Sequence, residues 1–266
     1  MFIQVYEFYL EPENVGAFEL ANGPNSTLRE VLGKSEDFLG AQLITDNGKN
    51  LEGKISVFSI DKWTSKEHFI AYYQENDHIL KELSDKNTQI IVGRYEYGGF
   101  DFDNPITIEV DDDITLRQYT TDDIEDMFDL INRNREHLNQ HGEKTSDKYQ
   151  SKINVVDSIL IPSDPDRLRF GIWAGDTYVG TINLTPDYSG RFEIGYYLGN
   201  DFMNKRYMIR SVNRMVQYAF DELDTEMVYA KIHPLNIKSQ SVVSKAGFIK
   251  SRNDNSNPVI YGIVKK

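Results

Sequence analysis

The sequence predicts two different α/β domains in one chain of 266 residues, joined by a short linker. The order of strand-like and helix-like segments differs between the two parts of the chain. The periodic pattern also stops between Gly98 and Pro105, where two glycines, two aspartates and a proline follow within a few residues. We therefore expect one domain of residues 1–103 and another of residues 104–266, each large enough to bury its own core.

Residues 1–103 are predicted to form a β-α-β-β-α-β domain. Ser65 is the expected N-cap of a helix, whose apolar stripe runs from Phe69 to Leu83. The dipeptide Asn47-Gly48 indicates a hairpin turn between the second and third strands. The strands predicted from alternating aromatic and β-branched residues are 2–9, 38–45, 55–60 and 89–97, with an irregular, partly helical stretch up to residue 34. This order is that of a ferredoxin-like α+β sheet with helices on one face.

The segment Trp63-Thr64-Ser65-Lys66-Glu67-His68-Phe69 follows a predicted strand and opens the helix. With this segment the domain resembles the antibiotic-biosynthesis-monooxygenase (ABM) family of dimeric α+β barrels, which implies a homodimer through this domain. Some members of that family are oxygenases or degrade haem, and they use an Asn in the first strand. The first strand here has no Asn, and neither His68 nor His78 falls where the family's haem ligand would lie. Trp63 and Tyr72 are therefore expected to pack in the core.

Residues 104–266 are predicted to form a mixed α/β domain with one central sheet. Thr120 and Asp123 have the spacing of a capping box at the start of a helix. A long amphipathic helix is expected from about residue 205 to 223, with an apolar stripe between Ile209 and Leu223. The other predicted elements are strands at 114–117, 169–174, 178–184, 191–198, 227–232 and 259–264, and helices at 146–160 and 237–246.

The composition favours a cytoplasmic protein that binds neither nucleic acid nor membrane. The chain carries 42 Asp+Glu against 29 Lys+Arg, a formal net charge of -13, and such a surface repels a phosphate backbone. The absence of cysteine excludes disulfides, thiolate catalysis and cysteine-bound metals. The first residues lack the pattern of a secretory signal, and no apolar stretch reaches the length that spans a bilayer.

The negative charge is unevenly distributed along the sequence. Residues 1–103 hold 9 Lys+Arg and 18 Asp+Glu, a net of -9, which leaves a net of -4 for residues 104–266. Within the second part, a basic cluster of Lys205, Arg206, Arg210 and Arg214 crowds the start of the long helix. A helix N-terminus together with local positive charge would attract a polyanion. The same spacing also fits a solvated helix face, and the pattern alone leaves both interpretations open.

The second domain contains six short motifs in a characteristic order. They are Phe170-Gly171-Ile172-Trp173, Val179-Gly180-Thr181-Ile182, Glu193-Ile194-Gly195-Tyr196, Tyr218-Ala219-Phe220, Asn236-x-x-Ser239 and Lys245-Ala246-Gly247-Phe248. In these motifs residues 106–264 resemble the GNAT superfamily, and most closely its RimJ/RimL-type ribosomal-protein N-terminal acetyltransferases. The resemblance implies that acetyl-CoA lies in a splay between the fourth and fifth strands, with its pyrophosphate on the loop before the long helix.

The resemblance also implies which residues form the site. Glu193 corresponds to the carboxylate that accepts the amine proton, and Ser239 to the hydroxyl that protonates the leaving thiolate. Their structural alternatives are a solvent-facing strand residue and a helix-capping residue. Asn236 is expected to order the loop and the pantetheine arm, and no metal is implied. The residues implied for acetyl-CoA binding are Tyr196, Tyr197, Leu198, Met203, Asn204, Lys205, Arg206, Tyr207, Met208, Ile209, Asn236 and Ser239.

The pyrophosphate loop departs from the family pattern Q/R-x-x-G-x-G/A. It reads Met203-Asn204-Lys205-Arg206-Tyr207-Met208, so Arg206 stands where the first glycine is usual. The side chain could obstruct the approach of phosphate to the backbone, or its guanidinium could pair with the pyrophosphate. Two functions therefore stay open: an N-acetyltransferase acting on a protein N-terminus or a small amine, and a non-catalytic dimeric protein with a degenerate GNAT domain. An ABM-type oxygenase or ligand-binding activity in the first domain would lack the family's key residues.

Two further polar segments are interpreted structurally. His137 and His141 are four residues apart on a predicted helix, with Glu143 nearby, which is a permissible metal spacing. We interpret this segment as a solvated helix end. The acidic run from Glu109 to Asp113 is interpreted as a solvated edge that could help to recruit a cationic amine.

Overall fold

The computed structural model describes residues 1–49, 53–101, 105–142, 144–251 and 257–265. The chain divides into two compact units, one of residues 1–104 with 151–153 and one of residues 105–150 with 154–266. The boundary predicted between residues 103 and 104 lies outside the described residues. Within the described ranges, none of the helices has the length and apolar character needed to cross a membrane.

The first unit is built around one antiparallel sheet. Its elements are β1 (Phe2–Leu10), α1 (Val15–Asn22), α2 (Thr27–Leu32), β2 (Phe38–Lys49), β3 (Ile55–Trp63), α3 (Lys66–Glu75), α4 (Asp77–Asn87) and β4 (Ile91–Asp101). The strand order in the sheet is β2-β3-β1-β4, and each neighbouring pair is antiparallel. The central strands β1 and β3 pair over their whole length, from Phe2 opposite Trp63 to Leu10 opposite Ile55.

Two local predictions for this unit are wrong. The single helix predicted after Ser65 is broken at Asn76, which lies between α3 and α4 and donates from its side-chain amide to the Tyr72 carbonyl at 2.9 Å. Asparagine competes for backbone hydrogen bonds in this way and so favours helix ends. The turn predicted at Asn47-Gly48 is also displaced, because β2 continues to Lys49 with an irregular register after Asp46.

The side chain of Trp63 forms the centre of the first core. It is fully buried, and its ring centroid lies 5.1 Å from that of Phe38, 5.8 Å from that of Phe69 and 5.3 Å from that of Tyr72. Burying an aromatic side chain contributes roughly 1.5–3 kcal/mol. The predicted packing role of Trp63 is confirmed. Ser65 is also confirmed as the N-cap of α3, since its hydroxyl accepts a hydrogen bond from the backbone N–H of His68.

Among the residues beyond 104 that the structure describes, the chain forms a mixed α/β unit with eight strands in one sheet. Its elements are β5 (Thr107–Glu109), β6 (Ile114–Gln118), α5 (Ile124–Arg133), α6 (Arg135–Leu138), α7 (Thr145–Lys148), α8 (Lys152–Leu160), β7 (Leu168–Ala174), β8 (Thr177–Pro186), β9 (Phe192–Leu198), α9 (Tyr207–Glu222), β10 (Met227–Ile232), α10 (Ile237–Lys245), β11 (Ile249–Lys250) and β12 (Val259–Val264). The strand order is β11-β12-β10-β9-β8-β7-β6-β5. In the part of the chain that the structure describes, β9 and β10 are the parallel neighbours and the other pairs are antiparallel.

The helices of the second unit differ in detail from the sequence prediction. The helix predicted at 146–160 is two helices, α7 and α8. The long helix begins at Tyr207, so that Lys205 precedes it. The capping box of Thr120 and Asp123 is confirmed, and it opens a short 3₁₀ turn that leads into α5. The residues of α9 that are buried in the core are Met208, Ser211, Val212, Met215, Val216 and Ala219, whereas Ile209 and Leu223 of the predicted stripe are half-buried.

Candidate active site

The fourth and fifth predicted strands, β9 and β10, separate shortly after they pair. Their parallel register joins Val228 to Phe192 and Tyr229 to Glu193. The following residues, 194–198 of β9 and 230–232 of β10, line a cavity of about 1320 Å³. Strands that part in this way leave backbone N–H and C=O groups without ladder partners, and a ligand can bind them. The cavity therefore opens within the sheet itself.

The N-terminus of α9 lies at this cavity. Tyr207, Met208 and Ile209, the first residues of the helix, line it, and the side chain of the N-cap residue Arg206 makes no capping hydrogen bond to the described residues. The first N–H groups of a helix have no intrahelical acceptor, and the helix dipole adds partial positive charge at the same place. This end of the cavity is suited to a phosphate group.

The backbone before α9 is left-handed at two residues. Asn204 has a φ of 64° and Arg206 a φ of 63°. Glycine adopts this conformation freely, whereas a residue with a Cβ does so at a cost of roughly 1–2 kcal/mol. The conformation explains why glycine suits position 206. The Arg206 side chain is exposed at the cavity and has no hydrogen bond or ion pair with the rest of the described chain.

Two arginines of the predicted basic cluster serve a structural purpose. Arg210 Nη1 lies 2.7 Å from Asp111 Oδ2 and 3.3 Å from Asp113 Oδ2, and Arg214 Nε donates to the Glu109 carbonyl at 3.0 Å. These contacts attach the acidic run to α9. The prediction of a solvated edge agrees with the structure, because the acidic side chains of residues 109–113 are exposed and the run begins in the edge strand β5. The ion pairs of Asp111 and Asp113 with Arg210 are an addition to that prediction. The idea that the whole basic cluster faces a polyanion is wrong for Arg214, which is held by the Glu109 carbonyl.

The structure does not bring Lys205 into the lining of the cavity. Its Nζ lies 5.5 Å from the centroid of the Phe202 ring and 6.0 Å from that of Tyr207, within range of cation–π attraction. The other residues implied by the family resemblance do line the cavity. They are Glu193, Tyr196, Tyr197, Leu198, Met203, Asn204, Arg206, Tyr207, Met208, Ile209, Asn236 and Ser239.

Glu193 lies where β9 and β10 are still paired. Lys231 Nζ donates to its Oε2 at 2.6 Å, and this hydrogen bond raises the pKa of Lys231 above the ordinary lysine value. Both side chains are partly exposed to the cavity. One carboxylate oxygen of Glu193 is thus occupied, and the other is available to an amine.

Ser239 lies in the first turn of α10. Its backbone N–H donates to Asn236 Oδ1 at 3.1 Å, so the residue that caps the helix is Asn236. Tyr196 Oη donates to the Ser239 carbonyl at 3.1 Å, and burial raises the pKa of Tyr196 well above its ordinary value. The side chain of Ser239 lines the cavity and lies within hydrogen-bond reach of the Tyr196 hydroxyl. The capping alternative for Ser239 is wrong, because Asn236 caps the helix.

Sequence patterns missed the part of the cavity that β7 and β8 form. In the sheet register, Asn183 of β8 lies between Arg169 of β7 and Gly195 of β9. Arg167, which precedes β7, also lines the cavity. Two-residue alternation along β7 could have indicated that Arg167 and Arg169 share a face. Which face becomes a cavity wall depends on the register with β8 and β9, which no local pattern gives.

A hydroxyl network supports the same wall. Thr181 Oγ1 lies 2.5 Å from Tyr119 Oη and 2.8 Å from Tyr178 Oη, and Tyr178 Oη lies 3.3 Å from Tyr197 Oη. Burial raises the pKa values of Tyr178 and Tyr197, so both phenols stay protonated. The network fixes Tyr197 at the cavity as a neutral hydrogen-bonding group.

His137 and His141 do not share one helix face. The helix α6 ends at Leu138, and His141 has a φ of 60° and stacks on His233 with 6.1 Å between ring centroids. Both His137 and His141 line the cavity, and burial lowers the pKa of His137. Among the residues that the structure describes, no group of three or more His, Cys, Asp or Glu side chains is arranged to hold a metal. Glu143 lies outside the described residues.

Comparisons with known proteins bear on the second unit. The family model described as "Acetyltransferase (GNAT) domain" matches residues 113–249. The curated "Probable N-acetyltransferase YjcK" of Bacillus subtilis (strain 168) is 29% identical over 161 residues, which cover 56% of this chain and 88% of that protein. A solved structure titled as a probable acetyltransferase has a TM-score of 0.50 at 25% identity, over 60% of this chain and 97% of its own. RimL, a ribosomal α-N-protein acetyltransferase solved with coenzyme A, shares the fold with a TM-score of 0.51 at 16% identity, over 60% of this chain and 98% of its own.

Proposed function

The chain belongs to the GNAT acetyltransferase family, and we propose that it transfers the acetyl group of acetyl-CoA to a primary amine in the cavity between β9 and β10. The splay of these two strands is the observation that carries the proposal. The strands pair at 192–193 and 228–229, and then both line one cavity that also contains an uncapped helix N-terminus. A thioester on a long arm that ends in a pyrophosphate requires such a slot with an anion site at one end.

The residues present fit acetyl-CoA. The N–H groups of Tyr207, Met208 and Ile209 would hold the pyrophosphate, and the pantetheine arm would lie along residues 196–198. The guanidinium of Arg206 is exposed beside this helix start and has no ion-pair partner among the described residues. It can therefore pair with the pyrophosphate in place of the close backbone approach that glycine permits.

The reaction in this site is a direct acyl transfer. The neutral amine attacks the thioester carbonyl, so that a C–N bond forms and gives a tetrahedral intermediate, and the C–S bond breaks when this intermediate collapses. Glu193 accepts the proton that the amine loses, and the Ser239 hydroxyl donates a proton to the departing thiolate sulfur. Backbone N–H groups freed by the splay are suited to stabilise the oxyanion of the tetrahedral intermediate.

Calorimetric titration with acetyl-CoA tests the cofactor part of this proposal, and release of the CoA thiol on addition of amines tests the transfer. We expect saturable binding, raised thermal stability by mass action, and amine-dependent thiol release.

The substitution Arg206→Glu should weaken binding about tenfold or more, because it reverses a charge beside the pyrophosphate. Arg133→Glu is the matched control, since Arg133 is also exposed but lies outside the cavity lining. Absence of binding at millimolar acetyl-CoA would instead favour a degenerate, non-catalytic GNAT domain.

We further propose that the first unit is a ferredoxin-like, ABM-type domain that forms a homodimer, and that the protein is cytoplasmic. The strand order β2-β3-β1-β4, with helices in both connections of the β-α-β-β-α-β order, supports the ferredoxin-like part of this proposal. Light scattering on the full chain should give twice the mass of the 30.7 kDa chain. A monomeric mass at micromolar concentration would contradict the homodimer.

A further inference from the structure

Polar side chains line the part of the cavity that β7 and β8 form. Arg169 lies opposite Asn183, and Asn183 lies opposite Gly195. Because Gly195 has no side chain, the Asn183 amide occupies the space above it: a Cβ at position 195 would lie only 3.0 Å from Asn183 Oδ1. We call Arg167, Arg169 and Asn183 the acceptor floor, since they lie on the side of β9 away from β10 and from the helix start that suits the pyrophosphate.

The two arginines of the acceptor floor differ in their partners. Arg169 donates to the Ser158 carbonyl at 2.6 Å and to Tyr149 Oη at 3.1 Å, so its guanidinium is fixed by the fold. Arg167 Nε is buried without any hydrogen-bond partner, and the guanidinium has no ion pair within the described residues. Burial, followed by the charge of Arg169, lowers the pKa of Arg167, and the charges of Asp164 and Glu193 only partly oppose this shift. A buried donor without an acceptor is unfavourable, and an anionic ligand would remove that cost.

Asn183 gives an independent indication of a ligand. Asn183 as a whole residue is 7% exposed and lines the cavity, and its amide makes no hydrogen bond to the other residues that the structure describes. The amide atoms are not fully buried, so they are open to a ligand in the cavity. The amide N–H groups of Asn183 can donate to the same anion as Arg167, because Arg167 lies two residues before Arg169, which is opposite Asn183 in the sheet, and both residues line the cavity.

The charge of the cavity lining agrees with an anionic acceptor. Glu193 is the one carboxylate among the described residues of the lining, and Lys231 pairs with it. The pyrophosphate of acetyl-CoA accounts for positive charge near α9, but it does not account for charge at the start of β7. The residues that place positive charge on the acceptor side are Lys144, Lys148, Arg167 and Arg169. In a chain with a net charge of -13, this concentration of positive charge is local to the site.

We propose that the acceptor is an amine that also carries an anionic group, a carboxylate or a phosphate, which pairs with Arg167 and Asn183 while the amine faces Glu193. The inference rests on the acetyltransferase function proposed above and names its substrate class. An arginine fork binds a carboxylate or a phosphate through two parallel hydrogen bonds. A neutral amine of the same size would leave both the guanidinium and the Asn183 amide unpaired, and so it would bind less tightly.

Matched acceptor pairs test this substrate class. Each pair has an anionic and a neutral member: β-alanine and β-alaninamide, phosphoethanolamine and ethanolamine, and peptides with N-terminal Asp or Asn. Thiol release at saturating acetyl-CoA gives kcat/KM for each acceptor. We expect at least a tenfold preference for the anionic member in one or more pairs, and the pair that shows it tells whether a small carboxylate, a small phosphate or an acidic peptide is the source.

The variant Arg167→Gln should raise KM for the preferred anionic acceptor tenfold or more, with the affinity for acetyl-CoA unchanged. Arg167→Lys keeps the charge but loses the fork, and it should raise KM by a smaller factor, which gives a second measurement if Arg167→Gln does not fold. Arg133→Gln, an exposed arginine outside the cavity, should change neither quantity.

Equal kcat/KM for anionic and neutral members, or an unchanged preference in both Arg167 variants, would overturn the anionic-acceptor class and leave the acetyltransferase function standing. Protein that binds acetyl-CoA but acetylates no member of the panel would also overturn this class. Failure to bind acetyl-CoA is a separate result, because it would overturn the proposed function and the inference that rests on it.

Discussion

Tyr196 Oη donates a hydrogen bond of 3.1 Å to the Ser239 carbonyl and so joins β9 to α10 across the splay. The N–H of Ser239 donates in turn to Asn236 Oδ1. The main chain of Ser239 is thus held at both its amide and its carbonyl, and its side chain lines the cavity beside the Tyr196 hydroxyl. A fixed backbone that carries a hydroxyl at a cavity is the arrangement that a proton donor requires.

The substitution Ser239→Ala should lower kcat by roughly 100-fold, the usual contribution of a positioned acid. Affinity for acetyl-CoA should change little, because the backbone contacts of residue 239 do not depend on its side chain. Single-turnover kinetics and calorimetry measure the two quantities. Ser244→Ala is the matched control, since Ser244 is exposed on the same helix and does not line the cavity. Equal rates for the wild type and Ser239→Ala would remove this role.

Replacing Glu193 by Gln should lower kcat/KM by roughly 100-fold near pH 7. The loss should shrink at a pH near 10, where the amine substrate is already neutral and needs no base. Lys231→Gln breaks the same 2.6 Å ion pair without removing the carboxylate, and it should retain most of the activity. If the two variants lose activity equally at every pH, the contribution of Glu193 is the ion pair rather than proton transfer.

Local signals predicted most of the second unit. The strands Met227–Ile232 and Val259–Val264 coincide with their predicted ranges. The capping box was also predictable, because it depends on two residues that are three positions apart. The short edge strands β5 and β11 lay outside the prediction, because three or two residues show no alternation. Family motifs likewise predicted residues that line the cavity between β9 and β10, since each motif is a short segment of the sequence.

The parts of the site that local sequence patterns could not predict depend on contacts between residues that are far apart in the sequence. Arg210 and Asp111 are 99 positions apart, so helix spacing could not separate a basic site from an ion pair. The acceptor floor likewise depends on the register that sets Asn183 opposite Arg169 and Gly195. The left-handed conformation of Arg206 could not be predicted from the sequence, because arginine seldom adopts a positive φ.

Replacing Arg206 by Gly should have opposite effects on stability and on binding. Glycine relieves the left-handed strain at φ 63°, worth roughly 1 kcal/mol, so the melting temperature of the free protein should rise by about 2–4 °C. Loss of the guanidinium should weaken acetyl-CoA binding about tenfold, if the side chain pairs with the pyrophosphate. Thermal melting and calorimetry on the same variant measure both. A gain in both quantities would mean that the Arg206 side chain obstructs the site.

His137 should make the protein less stable in mild acid. Burial lowers its pKa in the folded state below the value of about 6.5 that it has in the unfolded chain. Between these two values, the unfolded chain binds more protons than the folded protein does, so the free energy of unfolding increases with pH across that window. The contribution is fully present above pH 6.5 and is lost as the pH falls through the lower, folded value.

The substitution His137→Gln tests this contribution, because glutamine keeps a polar side chain at the cavity but does not titrate. The melting temperature of the wild type should fall relative to that of the variant as the pH falls from 7.5 to 5, since only the wild type must bury a charge or release a proton there. His78→Gln is the control, because His78 is exposed on α4 in the first unit. If the melting temperatures of the wild type and His137→Gln change by the same amount over this pH range, the protonation of His137 is not coupled to folding.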